Sequence, residues 1–227
     1  KPPFKGKFEW AIDYYKSMAK KLNITMKLGK EVTAQEVLAL KPHSILVATG
    51  SNVISIPLEG LDQVQTVQAH DVLANDMQFA NKKVVVIGGG ITGLETALYI
   101  NRQGTNQVSV VDMLPEWPVD MLDMRYQNEA LLEVRHCNDQ GVALFYNNKV
   151  VKFADGKLFI ESTKDGEVKE LPADVIVLSV GVKPNDALWQ ELLASGHPSV
   201  WKAGDAIATG KINKAVLHGS KFGYSLN

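Results

Sequence analysis

Gly88-Gly89-Gly90-Ile91-Thr92-Gly93 fits the pattern G-x-G-x-x-G, directly after the apolar run Val84-Val85-Val86-Ile87 and just before Leu94-Glu95-Thr96-Ala97-Leu98. Strand, glycine turn and helix in that order are the context in which this motif holds the pyrophosphate of a dinucleotide. Each motif glycine has a task. Gly88 permits the tight turn, Gly90 lets backbone approach a pyrophosphate, and Gly93 lets the helix pack closely on the strand. Gly89, Ile91 and Thr92 complete the turn, and the helix start adds free N–H groups and partial positive charge facing the phosphates.

Asp112 follows Gly88 by 24 residues and ends the second apolar run, Val108 to Val111. An acidic side chain there can bond the ribose hydroxyls of NAD, whereas a 2′-phosphate would be repelled. Between Met113 and Met124 the chain offers Glu116, Asp120 and Asp123, with no Arg or Lys to receive such a phosphate. NAD(H) is the expected ligand. Glu95, near the expected helix start, has two open readings: a favourable interaction with the helix dipole, or a place beside a nicotinamide or flavin ring. His136 and Cys137 adjoin in a predicted helix, and a lone Cys reads as a small core residue. His43, His70, His197 and His218 show no metal-ligand spacing, so no metal site is expected.

Two more strand ends carry polar turns. Ala48-Thr49-Gly50-Ser51 follows Ile45-Leu46-Val47, and Gly204-Asp205-Ala206 follows Val200-Trp201-Lys202-Ala203. An Asp at a strand tip facing a helix start suits hydrogen bonding to a ribityl or phosphate group. A plain turn explains either motif taken singly.

The elements that position these residues alternate. Phe8, Ile12, Tyr15, Ala19 and Leu22 give helical spacing, and alternation over 23–28 predicts a short strand. Thr33 with Glu36 forms a capping box for a helix over 34–41. Strands at Ile45–Ala48, Val84–Ile87, Val108–Val111, Gly141–Tyr146 and Val175–Val180 are expected. Between and after them fall helices over 69–75, 94–102, 123–139, 186–194 and 214–224. Asp155-Gly156 and Asp165-Gly166 mark hairpins in a meander over 149–171. Such alternation predicts a parallel sheet covered on both faces.

At 227 residues the chain accommodates one large or two small domains. Hydrophobic residues at 45% and charged residues at 22% exclude a disordered chain, and 18 Gly with 9 Pro exclude a collagen-like one. A net charge of −1 argues against nucleic-acid or anionic-membrane partners. A single cysteine and apolar runs far below the roughly 20 residues of a membrane span make the cytoplasm the expected compartment. The opening Lys1-Pro2-Pro3-Phe4, with neither an initiator Met nor a leader-like apolar run, is expected of a stretch from a longer polypeptide.

Taken together, Ala48-Thr49-Gly50, the Gly88–Gly93 turn with Leu94-Glu95-Thr96-Ala97 after it, Gly181-Val182-Lys183-Pro184-Asn185, and Gly204-Asp205-Ala206 resemble the two-dinucleotide-domain flavoprotein reductases. The likeness is strongest to the C-terminal part of NADH:flavin oxidoreductases of the old yellow enzyme type, such as dienoyl-coenzyme A reductase and trimethylamine dehydrogenase. The opening Lys1-Pro2-Pro3-Phe4-Lys5 and the closing Lys211-Ile212-Asn213-Lys214-Ala215 resemble that subgroup.

The resemblance implies an α/β, Rossmann-like FAD/NAD(P)-binding fold. An NAD(H)-binding domain over 78–188 would be inserted in a partial FAD-type domain made of 1–77 and 189–227. Gly88, Gly90 and Gly93 would hold the nicotinamide nucleotide. Thr49, Gly50, Gly204 and Asp205 would belong to the FAD-type domain, with Gly181 near the crossover. No G-x-G-x-x-G precedes Ala48, so the FAD site is partial. FMN and an iron–sulfur cluster would belong only to the full-length parent, and the rest of that flavoenzyme is the expected partner. The implied reaction is hydride transfer from NADH to a flavin, the fragment alone being inactive. A non-catalytic ADP- or NAD-binding module is the alternative from another class. A disulfide reductase needs a cysteine pair, and only Cys137 is present.

Overall fold

Val84 to Ile87 are β-branched and apolar on every residue, so the strand they form must be covered on both sides. The computed structural model describes residues 5–115 and 124–226 and shows how. In chain order the elements are α1 (Phe8–Lys21), α2 (Ala34–Ala39), β1 (Ile45–Val47), β2 (Ser51–Val53), β3 (Gln65–Gln68), α3 (Ala69–Ala74), β4 (Lys83–Ile87), α4 (Ile91–Asn101), β5 (Gln107–Val111) and α5 (Met124–Asp139). They continue with β6 (Ala143–Phe145), β7 (Asn148–Ala154), β8 (Lys157–Ser162), β9 (Val168–Pro172), β10 (Val175–Leu178), β11 (Val182–Pro184), α6 (Ala187–Ala194), β12 (Val200–Lys202) and α7 (Ile212–Ser225). Glu116, Asp120 and Asp123 lie outside the described residues.

The chain forms two compact units, one of Lys1–Met18 with Ser55–Val180, the other of Ala19–Ile54 with Gly181–Asn227. The larger unit carries a parallel five-stranded sheet in the order β3-β10-β4-β5-β6. Alternate residues of its strands serve opposite faces. Val84, Val86, Val108, Val110, Val175 and Val177 pack with Leu94, Ala97, Leu98 and Val134 of α4 and α5. Val85, Ile87, Val111, Ile176 and Leu178 pack instead with Phe153, Leu158 and Ile160 of the antiparallel β7-β8-β9 meander. Helices cover one face and a second sheet the other. The fold is α/β and Rossmann-like, as its alternating pattern predicts.

In the smaller unit β1 pairs in parallel with β12, Ile45 opposite Val200, and β2 pairs antiparallel with β11, Val182 opposite Val53. Ile45, Val47 and Leu192 form its buried centre. The capping box forms as expected: Glu36 N–H donates to Thr33 Oγ1 at 3.3 Å, and Thr33 N–H donates to Glu36 Oε2 at 3.0 Å.

Two expectations need correction, the strand over 23–28 and the start of α4. The compact units have edges at 18/19, 54/55 and 180/181, beside the domain bounds of 77/78 and 188/189 expected from the sequence. Pairing of β3 with β10 draws the stretch after Ser55 into the larger unit, and pairing of β11 with β2 assigns residues from Gly181 onward to the smaller one. The predicted strand over 23–28 has no ladder among the described residues, and Ile24, Met26 and Leu28 are exposed. Alternation alone makes no strand where no edge pairs with it. Finally, α4 begins at Ile91 rather than Leu94, because Gly90 takes the extended backbone of an N-cap (φ −69°, ψ 172°).

Candidate functional site

The glycine turn of the larger unit is built by close approaches of backbone. Gly88 has φ +111°, a conformation L side chains rarely adopt, and a Cβ there would lie 2.3 Å from the Ser179 carbonyl oxygen. A Cβ on Gly93 would lie 1.9 Å from the Gly88 carbonyl oxygen. Both positions are closed by the protein itself. Gly90 is the opposite case, since a Cβ there would meet nothing within 4 Å. The motif therefore splits by cause: Gly88 and Gly93 are needed for folding, while Gly90 leaves an open surface at the N-terminus of α4. Its first N–H groups, in Ile91, Thr92 and Gly93, have no intrahelical partners, and among the described residues no side chain caps that helix start. Ile91 is buried, and the Thr92 carbonyl accepts a 2.6 Å bond from Thr96 Oγ1.

Asp112 stands just beyond β5. Its Oδ2 accepts from Gly89 N–H at 2.6 Å and its Oδ1 from Leu114 N–H at 2.8 Å. The Tyr146 ring lies on the same side, and a Cβ on Gly89 would come within 2.9 Å of its Cε1. Gly88 N–H donates to the Val111 carbonyl at 2.8 Å.

Glu95 falls in the second turn of α4, beyond the reach of a dipole effect confined to the first turn. It is buried, and its Oε1 stands 3.0 Å from Lys5 Nζ. Glu133 of α5 is also buried, with its Oε2 3.7 Å from His136 Nδ1. Burial, and then the Glu95 carboxylate, push the Glu133 carboxyl above its usual range, with His136 and Lys5 opposing. Cys137 is fully buried with Sγ 3.9 Å from the Leu94 carbonyl, and burial pushes its thiol up to about 12. It is a core residue.

In the smaller unit the predicted residues gather at the ends of β1 and β12. Thr49 Oγ1 donates to the Asn185 carbonyl at 2.5 Å, and Asn185 N–H donates to the Gly50 carbonyl at 3.0 Å. Asp205 accepts from Ser51 Oγ at 3.4 Å and from Gly210 N–H at 3.0 Å. Gly204 N–H donates to His218 Nδ1 at 3.2 Å. Gly50 and Gly181 have φ +71° and +98° with open space where a Cβ would stand, and the Gly181 carbonyl accepts from Ile54 N–H at 3.0 Å. Ser179 and Tyr146 in one unit and His218 in the other carried no motif signal. Among the described residues no three His, Cys, Asp or Glu side chains group as metal ligands, and no helix is long and apolar enough to cross a membrane.

The model of one protein family, described as pyridine nucleotide-disulphide oxidoreductase, matches residues 14–218. The chain belongs to that family. Among its relatives, the bilirubin reductase of Mediterraneibacter gnavus is 33% identical over 184 residues, covering 81% of this chain and 28% of that protein. The NADH oxidase of Thermoanaerobacter brockii is 29% identical over 232 residues, covering 99% and 34%. The solved 2-naphthoyl-CoA reductase, in complex with 2-naphthoyl-CoA, superimposes with a TM-score of 0.83 at 28% identity, over 95% of this chain and 32% of that one. The thioredoxin reductase of T. acidophilum shares the fold at a TM-score of 0.59 and 19% identity. The chain spans about a third of the length of the first three relatives.

Two predictions follow from this geometry. Gly90→Ala should keep its unfolding free energy within about 1 kcal/mol of the parent, the scale of an N-cap change, yet weaken nucleotide binding. Gly93→Ala should lower the denaturation midpoint clearly, because a backbone carbonyl must move. Urea titration of both variants decides it; equal stability would refute the division. Glu133→Gln should stabilise the protein at neutral pH. A carboxyl held high in the folded state binds its proton more tightly there, so its cost builds as pH rises from the ordinary carboxyl value and is complete above the folded one. The gain should shrink below the ordinary carboxyl range, and pH-resolved unfolding checks it.

Proposed function

We propose that this chain is the nucleotide-handling part of an NADH:flavin oxidoreductase of the old yellow enzyme type, its larger unit binding NAD(H) and its smaller unit forming part of an FAD-binding domain. The observation that carries the reading is Gly90, a motif glycine where a Cβ would meet nothing within 4 Å among the described residues. The similarity to an NADH oxidase, over 99% of this chain and 34% of that protein, supports the choice of reaction class. The cytoplasm remains the compartment this reading expects.

The residues present fit a nicotinamide nucleotide. The uncapped start of α4 offers amide donors and positive potential to a pyrophosphate, and Gly90 admits it at backbone distance. Each Asp112 oxygen accepts one N–H and keeps a further lone pair for ribose hydroxyls. Thr49, Gly50, Gly181, Gly204 and Asp205 fit a flavin nucleotide in part, with polar groups in place at the ends of β1 and β12. When bound, a nicotinamide and a flavin would supply hydride-transfer chemistry. The chain's part is to bind, orient and select. FMN and an iron–sulfur centre belong, on this reading, to the rest of a longer enzyme.

NADH should bind at least about tenfold more tightly than NADPH, because a 2′-phosphate beside the Asp112 carboxylate sets like charges together. Calorimetry with both nucleotides tests this, and equal affinities would remove Asp112 from the ribose site. ADP bound as tightly as NADH would favour a structural ADP-binding module over a hydride-transfer domain.

A further inference from the structure

The Asp112 carboxylate does more than face a ribose. Its backbone is fixed on both sides, the N–H donating to the Phe145 carbonyl at 3.0 Å and the carbonyl accepting from Asn148 N–H at 2.9 Å. From that fixed position Oδ2 reaches the amide of Gly89 at 2.6 Å, the short distance of a charge-assisted bond. Gly88 N–H is already committed to Val111, one residue earlier. Two consecutive amides of the glycine turn are therefore tied to the end of β5, the first by backbone and the second by a side chain. The parallel ladder between β4 and β5 ends at Ile87 and Val111, so the strand pairing provides no acceptor for the Gly89 amide. The Tyr146 ring stands on the same side as Asp112, too near for a Cβ on Gly89.

We propose that Asp112 is a positioning residue for pyrophosphate binding: its carboxylate clamps the Gly89 amide and so fixes the turn that presents Gly90 and the start of α4, independently of any contact with ribose. This rests on the nucleotide reading above and deepens it. Asp112 then couples turn geometry to cofactor choice. Substitutions meant only to admit a 2′-phosphate lower affinity for every nucleotide that uses the turn.

The test uses a ligand without ribose hydroxyls, 2′,3′-dideoxyadenosine 5′-diphosphate, beside ADP, with the parent protein, Asp112→Ala and Asp112→Asn. Asp112→Ala is expected to weaken the dideoxy ligand by about tenfold or more. Asp112→Asn, whose amide oxygen still accepts from Gly89, should recover most of that loss while narrowing the preference for NADH over NADPH. In the ligand-free parent, hydrogen exchange by NMR should find the Gly89 amide protected, and exchange should quicken in Asp112→Ala. Unchanged dideoxy binding in Asp112→Ala would overturn the clamp and leave Asp112 a ribose ligand only. A Gly89 amide exchanging freely in the parent would overturn it even if that variant fails to fold. Failure of the parent to bind ADP at all would instead strike the nucleotide reading, with the exchange result still deciding the clamp.

Discussion

The carbonyl oxygen of Gly88 sits where a side chain on Gly93 would begin. That approach lets the first turn of α4 lie directly on the strand that precedes it, and the remaining contacts of the helical face follow from it. Leu94, Ala97 and Leu98 reach the floor formed by Val84, Val86, Val108 and Val110 because the helix axis is close enough for them. Val134 and Cys137 of α5 join the same cluster, packed to nearly complete burial. A methyl group at position 93 would lift this layer at its origin. Protein interiors transmit such displacements because they are close-packed.

The opposite face obeys a different rule. β4 and β10 present their other residues to the β7-β8-β9 meander, whose Leu158 and Ile160 are wholly buried. Strands buried on both sides leave no position for a polar residue, which accounts for the unbroken Val-Ile-Leu composition of Val84–Ile87 and Val175–Leu178. Along β10 polar residues enter only beyond the strand ends. Asp112, Ser179 and Thr49 are each the first or second residue past a strand, where ligands bind in open α/β sheets.

Those buried strands were legible in the sequence because their composition admits one environment. The capping box at Thr33 and Glu36 and the Asp-Gly hairpins were legible because their physics is local. Three short strands were not. Ser51-Asn52-Val53, Gln65-Thr66-Val67-Gln68 and Val182-Lys183-Pro184 are polar or mixed, and they become strands through the edges they meet, which lie far away in the chain. The same cause sets the edges of the two units. At the candidate site the glycine spacing and Asp112 could be read directly, but the bond from Asp112 to Gly89 could not, since it depends on where β5 ends relative to β4. The sequence also could not say which motif glycines are filled by protein and which are open. Residues 23–28 show the converse, an alternating pattern without an edge to complete it.

The pairing of β1 with β12 has a consequence for how the chain emerges from a ribosome. Val47 and its partner Lys202 are separated by the whole stretch Ser55–Val180. At about 5–20 residues per second, roughly 8–30 s pass between their synthesis. Within that interval the central sheet of the larger unit can close from one continuous length of chain, while Ile45 and Val47 wait in water for their partner strand. The smaller unit thus closes only after the central sheet of the larger one has been synthesised. Its apolar strand stays open to chaperones, or to strands of neighbouring nascent chains, throughout that interval.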